Sequence, residues 1–153
     1  MVVEAYRSNL CRDPDTGGRA YWTVSGIDSA GLEAELRRTN EWKPLAPVYA
    51  AYMNVLGRNP MAGGGSPPRN CEALFKMVSS GLSQADIEAQ LAASREGLRV
   101  RAVRDLYIEL LGRDPLPDDR AGLRTWVNTG LSIDRIRERL TASDEYRQRH
   151  PDR

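Results

Sequence analysis

Three pairs of neighbouring carboxylates, Glu33 with Glu35, Asp118 with Asp119 and Asp144 with Glu145, are the residues best suited to general acid and base work. Cleaving a glycosidic bond needs only two such groups. A nucleophilic system is harder to assemble, because the single histidine, His150, lies three residues from the end of the sequence. A Ser/His/Asp or Cys/His arrangement would then rest on a chain terminus, where order is usually poorest. Solvated helix faces and caps account for the paired acids more cheaply. The expectation is a protein without a catalytic site, with a carboxylate-based cell-wall hydrolase as an alternative.

Oxygen ligands for a hard cation occur in two turns, Asp13-Pro14-Asp15-Thr16-Gly17-Gly18 and Asp114-Pro115-Leu116-Pro117-Asp118-Asp119. Calcium is the cation such ligands would suit. The corresponding stretch Asn59-Pro60-Met61-Ala62-Gly63 holds no carboxylate, and neither acidic turn follows EF-hand spacing. Turn-forming and helix-capping aspartate is the better account, and no cofactor is expected. Cys11 and Cys71 could form at most one bridge and belong to no metal-spaced cluster. They read as free thiols or small core residues.

The totals are those of an ordinary globular protein. Lys+Arg against Asp+Glu is 22 to 21, with 41% apolar and 28% charged residues over 153 positions. All the basic residues except Lys43 and Lys76 are arginine, a bias that a GC-rich coding sequence explains. Arg99, Arg101 and Arg104 cluster, as do Arg135, Arg137 and Arg139. They are interleaved with Asp105, Glu109, Asp134 and Glu138, so no basic footprint for nucleic acid results. No apolar run approaches a membrane span, and no signal peptide is visible at the start.

The elements that must position these groups announce themselves by self-similarity. Tyr6 to Pro14, Tyr52 to Pro60 and Tyr107 to Pro115 align without gaps as Y-x-x-x-L-[GC]-R-[DN]-P. A second block begins at Gly26, Gly81 and Gly130, followed by Asp28, Ser83 and Ser132, then Leu32, Ile87 and Ile136, then Leu36, Leu91 and Leu140. It closes with Thr39, Ser94 and Ser143, then Glu41, Glu96 and Glu145, then Trp42, Gly97 and Tyr146. The spacing predicts an all-α protein of three divergent copies of a roughly 50-residue unit, at 1–46, 47–97 and 98–153, packed into one compact body.

Each unit should hold three helices. Val2, Tyr6 and Leu10, with their equivalents from Val48 and Val103, lie four apart and form a core stripe. Gly57 and Gly112 suit a left-handed C-cap, and a proline soon after stops the helix. Cys11 in that position should distort its cap, since a left-handed backbone costs about 1 kcal/mol more without glycine. A second helix carries Trp22, Met77 and Trp126, of which the tryptophans are expected in the core with Tyr52 and Tyr107. Asp28, Ser83 and Ser132 should cap a third.

These motifs resemble a helical domain of unknown function that occurs in tandem in bacterial secreted and surface proteins and in phage tail proteins, itself similar to the phycobilisome-linker domain. Leu111 to Pro115, Gly122, Trp126, Gly130 to Ser132 and Ser143 to Tyr146 carry the match best. The first copy matches well, and the second is degenerate after Pro60. The resemblance implies a helical module with no catalytic residues to carry over, in settings where proteins are displayed or assembled.

A docking or assembly module is therefore expected, partnered by a larger protein assembly such as a phage virion or an extracellular surface structure. Its candidate interface is Trp42 and Tyr146, which end their repeats beside charge, with the loop Gly63, Gly64, Gly65, Ser66, Pro67 and Pro68. A glycan-binding adhesin module using Trp42 or Tyr146 as a stacking platform is the alternative. Neither nucleic-acid binding nor membrane insertion is expected.

Overall fold

A computed structural model describes residues 1–60 and 71–152, so the candidate loop from Gly63 to Pro68 lies outside the described residues. The described chain is all-helical, without strands. Its elements are α1 (Val2–Leu10), α2 (Thr16–Ser25), α3 (Ser29–Leu36), α4 (Ala46–Leu56), α5 (Cys71–Ser79), α6 (Gln84–Ala93), α7 (Arg95–Leu106), α8 (Arg120–Asn128), α9 (Ile133–Thr141) and α10 (Asp144–Arg149). A wider π turn over Tyr107–Leu111 continues α7. Among the described residues, no helix is long and apolar enough to cross a membrane.

The stripes expected on the first helices are buried throughout: Val2, Tyr6 and Leu10 on α1, Val48, Tyr52 and Leu56 on α4, and Val103, Tyr107 and Leu111 on α7 and its π turn. So are Leu32 and Leu36, Ile87 and Leu91, and Ile136 and Leu140 on α3, α6 and α9. Burying each large aliphatic side chain contributes about 1.5–3 kcal/mol, which is what fixes these faces inward. Caps set the helix starts. Asp28 accepts from the Gly31 N–H at 2.7 Å, Ser83 from Asp86 at 3.2 Å and Ser132 from Arg135 at 3.2 Å.

The chain falls into two compact units, Met1–Tyr52 with Asn59–Ile87, and Met53–Arg58 with Glu88–Arg153. In the first, α1 packs on α2 and α3; in the second, α7 packs on α8 and α9, and the π turn on α10. The divisions pass through α4 and α6.

Three expectations need correction. Cys11 and Cys71 are not free thiols; they are joined by a disulfide with a Cα separation of 5.9 Å, and both are buried. Nor is the Cys11 cap distorted. Its backbone is left-handed at φ 58° and ψ 36°, close to the φ 66° and ψ 22° of Gly112, so the covalent tether and burial hold a conformation that glycine would adopt freely. Trp22 and Trp126 are half-buried, not core. Each needs an acceptor for its indole N–H, and each finds the hydroxyl of the stripe tyrosine, Trp22 to Tyr6 at 3.0 Å and Trp126 to Tyr107.

A bridge across 60 residues restricts the unfolded chain by about 4 kcal/mol on the chain-entropy account. The double variant Cys11→Ala/Cys71→Ala should lose stability of that order in urea titrations. Cys11→Gly/Cys71→Ala should recover about 1 kcal/mol of it, because glycine relieves the left-handed position.

Candidate functional site: the helix-junction clamps and the closing aromatics

The arginine after each left-handed cap is held in the same way. Arg12 donates to Glu41 through Nε at 2.6 Å and Nη2 at 2.9 Å. Arg58 grips Glu96 at 2.7 and 2.8 Å, and Arg113 grips Glu145 at 2.8 and 3.1 Å, through the same pair of nitrogens. Each is a two-pronged guanidinium–carboxylate contact, the geometry that arginine makes and lysine cannot. The Arg12 guanidinium also lies over the Tyr6 ring, and that of Arg113 over the Tyr107 ring, each 5.0 Å from the ring centre. The clamps tie the residue two beyond α1, α4 and the π turn to an acid in the turn before α4, in the first turn of α7 and in the first turn of α10 respectively.

The acids of the clamps sit where a further helix begins. Ser94 caps α7 by accepting from the Gly97 N–H at 3.0 Å, and Ser143 caps α10 by accepting from Tyr146 at 3.2 Å. Thr39 accepts from the Trp42 N–H at 3.3 Å. Glu96 and Glu145 lie in the first turns of α7 and α10, where a helix dipole favours negative charge. The fixed Ser/Thr-x-Glu offset was the sequence signal for both the cap and the clamp partner.

Glu96 is the most enclosed of the three acids and has two cations. Arg124 adds a contact at 3.1 Å and also donates to the Leu56 carbonyl at the end of α4, at 3.1 Å. Burial pushes the Glu96 carboxyl upward, but the hydrogen bonds and charges of Arg58 and Arg124 outweigh it and leave its pKa below the ordinary value. The Arg113 hydrogen bond likewise lowers Glu145.

The acidic turns considered for calcium are already occupied by protein donors. Asp13 accepts from Arg7 at 2.6 Å, and Asp15 caps α2 at the Gly18 N–H, also at 2.6 Å. Asp114 takes Arg104 at 2.6 Å and the Leu116 N–H at 3.0 Å, while Asp119 caps α8 and meets Arg113 at 3.1 Å. Asp118 is exposed. Among the described residues no group of three or more His, Cys, Asp or Glu comes together around a metal-sized space. Of the other paired acids, Glu35 contacts Arg38 at 3.3 Å and Asp144 contacts Arg147 at 3.6 Å. The arginine clusters are also laced to protein acceptors, Arg137 to Glu109 at 2.9 Å, Arg135 to Glu138 at 3.2 Å and Arg99 to the Val127 carbonyl at 2.8 Å.

The candidate interface residues Trp42 and Tyr146 are half-buried and face their own chain. Trp42 meets Tyr49 edge-on at 4.7 Å and lies under Arg37, whose guanidinium is 5.2 Å from the ring centre. Arg37 in turn donates to the buried Asn9 at 3.0 Å, and the Tyr49 hydroxyl donates to the Ser8 carbonyl, with burial raising the Tyr49 pKa far above the ordinary range. Tyr146 stacks with His150 at 4.2 Å, and the His150 ring bonds the Leu110 carbonyl at 3.0 Å. Exposed apolar side chains lie elsewhere. Tyr21 and Val24, three apart on α2, are 64% and 85% exposed, and Phe75, Leu98 and Ile108 also reach solvent. Their helical spacing was visible, but nothing in the sequence distinguished them from core positions.

Compared with known proteins, the chain matches no family model, no curated protein and no solved structure.

Because the folded Glu96 is more acidic than its unfolded counterpart, its contribution is complete above the unfolded pKa and disappears as pH falls through the folded one. Urea midpoints measured from pH 7 to pH 3 should therefore fall with acid, and Glu96→Gln should flatten that fall while costing about 2 kcal/mol at pH 7. An unchanged acid limb in the variant would show that Glu96 is not so coupled.

Proposed function

We propose that the chain is a non-catalytic docking module, built of three divergent copies of one helical unit and acting as a subunit of a larger assembly such as a virion or a surface structure. The observation that carries this reading is the threefold recurrence of the arginine–glutamate clamp at equivalent sequence positions. The clamps use the repeat's most regular charged residues to join helices, not to form a reactive centre. The same left-handed cap at Cys11, Gly57 and Gly112 supports the common unit, as do the caps at Asp28, Ser83 and Ser132.

The electrostatics support it as well. The carboxyl pKa values of Asp13, Glu96, Glu109, Asp114 and Glu145 move downward, each with an arginine partner. A general acid working near neutrality needs the opposite shift. Exposed Tyr21, Val24 and Phe75 offer aromatic and branched side chains of the kind that anchor partners. The resemblance to tandem helical domains of surface and phage tail proteins points to the same setting.

The tagged chain, recovered from its source cells or particles, should carry one identified structural protein in fixed stoichiometry and should bind nothing on a glycan array. Retention of a defined glycan would transfer the function to the adhesin reading. Release of cell-wall fragments that disappears in Glu33→Gln or Asp118→Asn would make it a hydrolase.

A further inference from the structure

α2, α5 and α8 each follow one of the three stripe helices in sequence, yet they are anchored differently. α8 buries Leu123 and Val127, and its Val127 and Trp126 carbonyls accept from Arg99 at 2.8 and 3.2 Å. α2 is held by the indole N–H of Trp22 on the Tyr6 hydroxyl. α5 buries Cys71 and Leu74, and its Phe75 is 46% exposed. Met77 stands at the offset of Trp22 and Trp126, and a thioether has no N–H to give a tyrosine. Apart from Cys71, no side chain of α5 bonds to another element among the described residues.

Cys71, the first residue of α5, is bridged to Cys11, the left-handed residue after α1. Gly57 and Gly112 take that backbone conformation freely, whereas Cys11 takes it with a side chain attached. A nine-residue helix is too short to persist alone in water, and one buried leucine does not offset the ordering of so many residues. The covalent tether supplies the rest. Without it, Cys11 also loses the constraint that keeps its backbone left-handed. The packing of α1 does not pass through α5. Arg12 on Glu41, Arg37 on Asn9 and the Tyr49 hydroxyl on the Ser8 carbonyl join α1 to the chain between α3 and α4.

We infer that the Cys11–Cys71 bridge is a redox latch for α5: oxidised, it docks α5 beside the end of α1, and reduced, it lets α5 come away while α1 to α3 and the second unit keep their fold. The reductant is a dithiol. Its thiolate attacks one bridge sulfur, forming a mixed disulfide and releasing the other cysteine as a thiolate; its second thiol then displaces the remaining cysteine. The chain gains two electrons and two protons as two thiols, and the dithiol leaves as a disulfide. Both cysteines are buried, at 5% and 3% exposure, so attack follows opening of the first turn of α5, since helix ends are where local opening is easiest. The docked form is the one that an oxidising compartment maintains.

The test is amide hydrogen exchange of the full chain, read by NMR before and after dithiothreitol, with thiol titration to confirm two free cysteines. Exchange at Phe75, Met77 and Val78 should quicken at least about tenfold on reduction, while exchange at Leu36, Leu106 and Leu140 should change by less than about twofold. Cys11→Gly/Cys71→Ala, which removes the bridge and relieves the left-handed position, should exchange fast at the α5 amides with or without dithiothreitol. Protection of α5 that persists with both thiols free, or in the variant, would overturn the proposal, as would equal loss at Leu36 and Leu140. A bridge that dithiothreitol opens only in urea would overturn it too, since release would then require global unfolding.

Discussion

An arginine placed just beyond a helix end can serve the last carbonyls, the solvent or an acid elsewhere in the chain. Here, at Arg12, Arg58 and Arg113, it serves an acid 29, 38 and 32 residues away in sequence. The two-pronged contact requires both planar groups to be held at fixed angles, so it specifies the path of the intervening helices as well as contributing energy. Partial exposure keeps its contribution modest for Arg12 with Glu41, and greater for Arg58 with Glu96, where the groups are 16% and 29% exposed. Each clamp lies within one compact unit and adds a fixed-angle contact to the apolar burial there.

The same economy runs through the other polar groups. Asp15, Asp28 and Asp119 each satisfy a backbone N–H three residues on, at a glycine, so the acid lies directly against the backbone. At Gly122 an added Cβ would lie 2.6 Å from the Asp119 carboxylate, which shows how tightly the cap is drawn in. Large apolar side chains remain exposed at Tyr21 and Val24 on α2 and at Phe75 on α5.

The parts of this fold that were legible in the sequence are those governed by local spacing. Val, Tyr and Leu four apart declare a helix face, and glycine followed by arginine and proline declares its end, whatever the tertiary context. The bridge between Cys11 and Cys71 was not legible, because two cysteines in an ordinary-sized chain carry no pairing signal and the left-handed φ at Cys11 is visible only in three dimensions. Trp22 and Trp126 were misplaced in the core because hydrophobic size predicts burial without regard for the indole N–H, which here draws each ring toward a tyrosine hydroxyl at the edge. The closing serines and threonine stood out by offset, but their capping role needed the start of α7 and α10 to be seen. For the candidate site, the exceptional Gly97 was legible as a departure from Trp42 and Tyr146; that the Leu91 and Ala92 carbonyls stand where its side chain would be was not.

The claim that one recurring interaction organises the chain is tested most directly by double-mutant cycles at the three clamps, using Arg→Met and Glu→Gln in urea titrations. The account predicts coupling of the same sign at all three, on the order of 1 kcal/mol for Arg12 with Glu41 and for Arg113 with Glu145, and larger for Arg58 with Glu96. Coupling below about 0.3 kcal/mol at each pair would contradict it, since independent residues give values of that size.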